Sequence, residues 1–186
     1  MIQVGIFTGY FPYTLEETAK RIRSIGFNTI QLDVSFKDID LSTDNITKEK
    51  CNLIRDTFRR HNLPISCISS YTNLVHPNPA KRKENSDRLK KIISFAHELG
   101  SPYVISESGT FDFDSDWVHH PKNKTEEGYE ECRAVIADIV EHARSQGVTF
   151  LVETYVNNVI GSIEETLRLF ADIDSLNLGL LMDPTN

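Results

Sequence analysis

Cysteine is scarce in this sequence, and the few cysteines form no motif. Cys51, Cys67 and Cys132 are far apart and lack CxxC spacing. An odd number of widely separated cysteines indicates neither a disulfide framework nor a zinc knuckle. Such a chain fits a reducing compartment, so we expect a cytoplasmic protein with free thiols.

Long hydrophobic runs and basic stretches are lacking as well. No run of about 18 apolar residues occurs, and the chain does not open on a charged segment followed by an apolar core. We therefore expect neither secretion nor membrane insertion. The formal net charge is -7, and the longest basic run is Lys81 to Lys83. Proteins that bind nucleic acid usually carry a basic face, so this balance disfavours a nucleic-acid partner.

Short apolar runs alternate with amphipathic segments along the whole chain. Strands are predicted at residues 2–7, 27–34, 65–71 and 103–109, and helices at 15–25, 47–61, 82–99 and 126–146. On the first two helices, Ile25 and Leu53 are among the residues predicted to face inward. Strands that are apolar on both faces are typical of parallel sheets covered by helices. Because no linker interrupts the pattern, we predict a single domain over residues 1–186.

The stretch from Thr149 to Asn186 has two apolar runs, and each ends in a carboxylate. These carboxylates are Glu153 and Asp183. Between the runs, a serine followed three residues later by Glu165 predicts a capping box that opens a helix. The apolar residues of this segment, at helical spacing, predict that the helix is amphipathic; they are Ile163, Leu167, Phe170 and Ile173. A right-handed crossover makes the two strands parallel, so both carboxylates should project from the same carboxyl-terminal edge.

Two α/β architectures produce such a pattern, an open doubly wound sheet and a (β/α)8 barrel. The segment GIFTGYFPYT contains neither GxGxxG nor a P-loop lysine, which excludes the dinucleotide-binding form of the first. The length of each repeat and the carboxylates at successive strand ends favour the barrel. A barrel usually needs about 250 residues and eight strands. We therefore expect a TIM barrel that is present here only through strand 6.

Four segments resemble the xylose isomerase-like TIM-barrel superfamily of sugar isomerases, epimerases and endonuclease IV-like enzymes. They are GFNTIQLDV, HELGSPYVI, GVTFLVET and LGLLMDPTN. The resemblance implies that Glu153 and Asp183 bind one divalent metal and that Glu153 also acts as an acid or base. It further implies a histidine and another carboxylate or amide from strands 7 and 8, which have no counterpart here. Oxygen ligands with one histidine suit Mn²⁺, Mg²⁺ or Co²⁺ better than Zn²⁺.

The resemblance implies a metal-dependent isomerase or epimerase of a sugar or related polyol. Such an enzyme removes a proton beside a carbonyl, and the metal stabilises the resulting enediolate. The endonuclease IV-like alternative, in DNA repair, requires histidines after strands 3 and 4 and three residues beyond the aspartate. The matching segments, CISSY, VISESG and DPTN, contain no histidine, and the residue three positions beyond Asp183 is Asn186. A second alternative is an inactive sugar-binding or scaffold remnant, since two implied ligands have no counterpart.

Four further residues are predicted to contact the sugar. Glu107 ends the fourth strand, Trp117 lies in the long loop after it, and Tyr10 follows the first strand. Asn186 occupies a position where the resembling enzymes contact their substrate. Loop capping, a mobile loop and turn packing explain Glu107, Trp117 and Tyr10 equally well. The sixth strand is apolar on both faces and lacks a seventh strand to pair with. We therefore also expect its unpaired side to be covered, either by association into a homo-oligomer or by further chain.

Overall fold

The fold is a parallel α/β sheet whose strands follow one another in chain order. A computed structural model describes residues 2–186. The six-stranded sheet has the order β1-β2-β3-β4-β5-β6, and the pairs β1/β2, β2/β3 and β5/β6 are parallel. The strands are β1 (Gly5–Phe7), β2 (Thr29–Asp33), β3 (Ile65–Ser69), β4 (Tyr103–Glu107), β5 (Thr149–Glu153) and β6 (Leu178–Leu181). A parallel sheet with six strands in chain order confirms the predicted fold class, a TIM barrel present through strand 6.

Helices connect the strands and begin and end close to the predicted positions, with one exception. They are α1 (Leu15–Ile25), α2 (Lys48–Arg60), α3 (Pro79–Ser94), α4 (Ala96–Leu99), α5 (Glu126–Ser145) and α6 (Ile163–Ile173). The prediction of one helix over residues 82–99 is wrong, because the helix starts earlier and breaks at Phe95. At the break, the Ser94 hydroxyl donates to the carbonyl of Lys90 at 3.0 Å, a bond that competes with the helical ladder.

Local hydrogen bonds explain where the helices begin. Thr14 and Glu17 form a capping box at the start of α1. At α6, the Ser162 hydroxyl accepts from the Glu165 amide at 3.2 Å, as predicted. The Glu165 carboxylate, however, accepts from the amide of Gly161 at 2.7 Å. The predicted capping box therefore forms in one direction only, and the glutamate anchors the residue before the cap.

The described chain divides into two compact units. The first contains the residues up to Ser69 together with Phe95–Val104, and the second contains Ser70–Ser94 and Ile105–Asn186. Fully buried aliphatic and aromatic side chains form a core in each, including Ile30 and Phe58 in the first and Ile105 and Phe150 in the second. Among residues 2–186, no helix has both the length and the apolar character needed to cross a bilayer.

Two residues predicted to face the core lie on the surface. Ile25 is 63% exposed and Leu53 is 50% exposed. Ile25 is the last residue of α1 and precedes Gly26, whose positive φ of 105° turns the chain away. On α2, Cys51, Ile54 and Phe58 form the buried stripe, and Leu53 lies beside it. Apolar character alone therefore overestimated the width of the packed face.

Helix α6 has an apolar face that the described residues do not cover. Ile163 is 74% exposed and Leu167 is 62% exposed, whereas Thr166 and Leu169 are buried. The predicted helix is present, but two of the apolar residues that indicated it are exposed in the described chain. The helix carries two adjacent stripes at helical spacing, and only the stripe of Thr166 and Leu169 is packed.

We expect this exposed face to drive self-association, because contiguous exposed apolar surface is a site of protein contact. The double change Ile163→Lys with Leu167→Glu should shift the chain towards monomer in sedimentation velocity experiments. The control is Ile25→Lys, which removes a comparably exposed apolar residue from α1. Equal sedimentation of wild type and the double variant at high concentration would contradict the expectation.

Candidate functional site

Polar residues of the second unit follow the carboxyl ends of several strands. Glu107 and Glu153 are the last residues of β4 and β5, and Tyr71 follows the end of β3. Glu153 is in register with Leu181 of β6, and Asp183 lies just beyond that strand. Because the strands are parallel, these side chains lie at one edge, the edge at which α/β proteins bind ligands.

Glu153 is a buried carboxylate with two hydrogen-bond donors. It is 6% exposed, its Oε2 accepts from the Tyr71 hydroxyl, and its Oε1 accepts from Asn186 Nδ2 at 3.0 Å. Burial, followed by the charge of Asp183, raises the pKa of Glu153, while the bonds from Tyr71 and Asn186 oppose the rise. The ionised form of Glu153 is therefore less favourable than that of an ordinary glutamate, and a nearby positive charge would favour it.

Asp183 is held in its ionised form. Its Oδ1 accepts from the Thr185 hydroxyl at 2.7 Å and from the Thr185 amide at 2.9 Å. These two bonds, the hydroxyl first, lower the pKa of Asp183. The pKa values of Asp183 and Glu153 are thus shifted in opposite directions, and the charge of Asp183 contributes to the shift of Glu153.

Glu107 is a second carboxylate whose pKa is strongly perturbed. Its Oε2 accepts from Asn158 Nδ2 at 2.8 Å. Burial raises the pKa of Glu107 to about 7, and the charges of Glu153 and Asp116 add to the rise. Asn158 is fully buried, and its Oδ1 has no partner among residues 2–186. Glu107 therefore exchanges its proton near neutral pH.

Glu107 opens onto a small cavity bounded by the long loop after β4. The cavity measures about 70 Å³, and its lining consists of Tyr71, Thr72, Asn73, Glu107, Gly109, Asp116 and Trp117. The Trp117 ring meets Tyr155 edge-on at 5.7 Å between centroids. Asn157 Nδ2 donates to the carbonyl of Trp117 at 2.9 Å and fastens the loop. An aromatic corner therefore lies beside the carboxylates.

The structure brings together most of the residues that the sequence analysis selected. Asn186 bonds to Glu153, whose pKa responds to Asp183, and Glu107 and Trp117 line one cavity. Tyr10 belongs to the first unit, where its exposed ring packs edge-on against Phe7 at 5.4 Å.

The sequence analysis missed Tyr71 and Asn158. Tyr71 donates to Glu153, and Asn158 donates to Glu107. Both lie in the segments that follow strand ends, β3 and β5 respectively. Position after a parallel strand is the signal that would have selected them, because chemistry in such folds lies in these segments.

The donor set fits part of a divalent-cation site. Glu153 and Asp183 offer the carboxylate oxygens that hard divalent cations prefer. A cation between them would relieve the repulsion that contributes to the raised pKa of Glu153. Within the described part of the chain, no group of three or more His, Cys, Asp or Glu residues could hold a metal ion. The described residues therefore fit two ligand positions and leave the others open.

Replacing Glu107 with glutamine should change how stability depends on pH. The ordinary pKa of this carboxyl is 4.5, and the folded value is about 7. Between these values the unfolded chain loses the proton that the folded chain retains, so the free energy of unfolding falls as pH rises. Well above the folded pKa the loss is complete, on the order of 3 kcal/mol. Glu107→Gln removes this loss.

Urea unfolding at pH values of about 5 and about 8, with a chelator present, measures the effect. Relative to wild type, Glu107→Gln should gain stability at the higher pH. Glu164→Gln, at an exposed position on α6, is the control and should leave the pH dependence unchanged. The same pH dependence in Glu107→Gln and wild type would show that Glu107 titrates normally.

Several solved structures are similar in fold to this chain. A xylose isomerase-like TIM barrel protein from Mycobacterium smegmatis, in complex with magnesium, has a TM-score of 0.72 and 15% identity, covering 97% of this chain and 64% of that one. L-ribulose 3-epimerase has a TM-score of 0.72 and 19% identity, covering 97% and 60%. The IolI protein with a bound zinc atom has a TM-score of 0.71 and 14% identity, covering 98% and 63%.

The TM-scores show a shared fold, and this chain spans less than two thirds of the length of each of the three proteins. No curated protein matches the sequence. The family model described as "Xylose isomerase-like TIM barrel" matches residues 19–186. The match includes every strand from β2 to β6 and both carboxylates of the candidate metal site. The chain therefore belongs to the xylose isomerase-like TIM-barrel family.

Proposed function

We propose that this chain carries the metal-binding carboxylates of an isomerase or epimerase that acts on a sugar or related polyol. The observation that carries the proposal is the pair of Glu153 and Asp183 at one sheet edge, the first buried with a raised pKa and the second held ionised. Membership of the family supports it, as does the shared fold of L-ribulose 3-epimerase. The acidic net charge of -7 fits a small-molecule substrate better than DNA.

In this proposal, Glu153 and Asp183 hold a divalent cation, with Mn²⁺, Mg²⁺ and Co²⁺ the best fit to oxygen ligands. The bound cation supplies positive charge where negative charge develops on the substrate oxygens. Solved structures of similar fold contain magnesium or zinc, which is consistent with a divalent ion. Thr185 keeps Asp183 ionised, so this ligand is ready to bind the cation at neutral pH.

Glu153 also takes the proton from the carbon beside the substrate carbonyl. Its buried position raises the pKa of the carboxyl and so increases its basicity. Tyr71 donates to Oε2 and Asn186 to Oε1, and these bonds fix the orientation of the carboxylate. Glu107 binds a substrate hydroxyl, and Trp117 with Tyr155 packs against the apolar face of the sugar.

Two other functions give different experimental results. An endonuclease IV-like enzyme needs several histidines for its zinc ions. The segments that match their positions, CISSY and VISESG, contain no histidine. A sugar-binding protein without catalysis would retain the cavity and the aromatic corner but would not exchange protons. Measurements of metal binding and proton exchange therefore separate the three functions.

We expect Glu153→Gln and Asp183→Asn each to weaken Mn²⁺ binding by at least about tenfold. Both changes keep the side-chain volume and remove an anionic ligand. Electron paramagnetic resonance of free Mn²⁺ measures binding, and proton NMR in D₂O measures solvent exchange into a panel of ketoses. Glu153→Gln should abolish exchange, whereas Glu164→Gln, an exposed acid on α6, should leave both quantities unchanged.

Each outcome identifies one function. Exchange close to wild type in Glu153→Gln would remove Glu153 as the base. Ketose binding without exchange in the wild type would support a binding protein. Cleavage of DNA at abasic sites by the wild type would favour the endonuclease branch.

A further inference from the structure

A second, larger cavity adjoins the cavity that contains Glu107. It measures about 290 Å³, and its lining consists of Tyr71, Thr72, His76, Lys81, Asn85, Arg88, Phe113, Asp114, Ser115 and Asp116. The two cavities are adjacent, with Tyr71, Thr72 and Asp116 in both linings, and we call the pair the groove. Tyr71, which lines both cavities, also donates to Glu153, so one side chain connects the groove to this carboxylate.

One face of α3 forms a wall of this groove. Lys81, Asn85 and Arg88 line the cavity, and their spacing of four and three residues places them on the same side of the helix. The helix is anchored at its start, where Asn78 Oδ1 accepts from the amide of Ala80 at 2.9 Å. Asn85 Nδ2 donates to the carbonyl of Asn73 at 2.8 Å. The two cationic side chains therefore project from a fixed backbone.

Arg88 differs from the other arginines of this acidic chain. Among residues 2–186 it is the arginine with no hydrogen bond, ion pair or ring contact. Lys81 pairs with Glu84 at 3.1 Å, but both side chains are exposed, and exposed pairs of this kind contribute little. The cavity thus contains one unpaired guanidinium and one weakly held ammonium.

The acids in the same cavity are on the long loop. Asp116 Oδ1 accepts from Asn73 Nδ2 at 2.9 Å, so this carboxylate is already hydrogen-bonded. Asp114 is exposed and forms no ion pair within the described part of the chain. His76 packs against Phe113 with 5.7 Å between ring centroids. The positive charges therefore lie on rigid helix positions, and the one unengaged acid is on a surface loop.

We propose that the cavity lined by Lys81 and Arg88 binds an anionic group, a phosphate or a carboxylate, at the end of the substrate remote from Glu153. The inference rests on the proposed function and adds to it the class of substrate, a phosphorylated or acidic sugar. A guanidinium binds the oxygens of either anion through paired N–H donors, and an ammonium adds a point charge. Asn85 and Ser115 line the same cavity and supply neutral polar groups.

Calorimetric titration of the full chain tests the preference with three ketoses. The probes are D-fructose, D-fructose 6-phosphate and D-fructuronate. Wild type should bind at least one charged ketose about tenfold more tightly than D-fructose, the factor expected of one charge-assisted hydrogen bond. Comparison of the two charged ketoses shows whether phosphate or carboxylate is the preferred anion.

Variants locate the preference. Arg88→Gln should remove most of it, and Lys81→Gln should remove part of it, with the affinity for D-fructose unchanged. Arg144→Gln is the matched control, because Arg144 is an exposed arginine of the same unit that pairs with Glu141. An equal loss in Arg144→Gln would overturn the proposal, since the preference would then come from overall charge.

A titration with inorganic phosphate, followed through the Nε–Hε NMR signal of Arg88, provides a readout that requires neither metal nor turnover. A saturable shift supports the site, and no shift overturns it. Proton exchange into ketoses without any preference for a charged one would leave the proposed function standing and this inference wrong. A preference for a charged ketose that depends on Arg88, in a chain that exchanges no protons, would leave the anion site standing and the proposed function wrong.

Discussion

The parallel pairing of β5 and β6 is the constraint on which the candidate site depends. It brings Glu153 and Asp183 to one edge, where burial and the charge of Asp183 raise the pKa of Glu153. Hydrogen-bond donors around the two residues stabilise the carboxylates. Tyr71 and Asn186 donate to Glu153, and Thr185 donates to Asp183, so each carboxylate is oriented before any ligand binds. Orientation in advance is what a binding site for a cation requires.

Buried asparagines hold the loop that encloses the groove. Asn73 Oδ1 accepts from the amides of Val75 and Thr110, and its Nδ2 donates to the carbonyl of Thr110 and to Asp116. Asn123 Nδ2 donates to the hydroxyl of Thr110. A buried amide must satisfy its donors and acceptors, so these contacts keep the segment after β4 in one conformation. These hydrogen bonds therefore fix the part of the cavity walls that the loop forms.

The sequence was sufficient to predict features that depend on the succession of neighbouring strands and helices. Glu153 and Asp183 were found because a strand, helix and strand in succession determine which edge their side chains reach. Tyr71 and Asn158 were not found, since their bonds join segments far apart in the chain. The buried side of α6 was also unpredictable, because apolar spacing identifies a stripe and not the surface that covers it.

Charge is distributed unevenly along the groove, and this determines how a substrate can lie in it. In the two proposals, the cation site of Glu153 and Asp183 is at one end of the bound substrate and Arg88 is at the other, and Glu107, with its pKa of about 7, lines the smaller of the two cavities. A cation at the first end and an anion at the last would fix both ends of an elongated molecule. The reversed orientation places an anion beside two carboxylates, which electrostatic repulsion opposes. Under the two proposals, a sugar would therefore bind in one orientation, with its carbonyl end at Glu153 and its anionic end at Arg88.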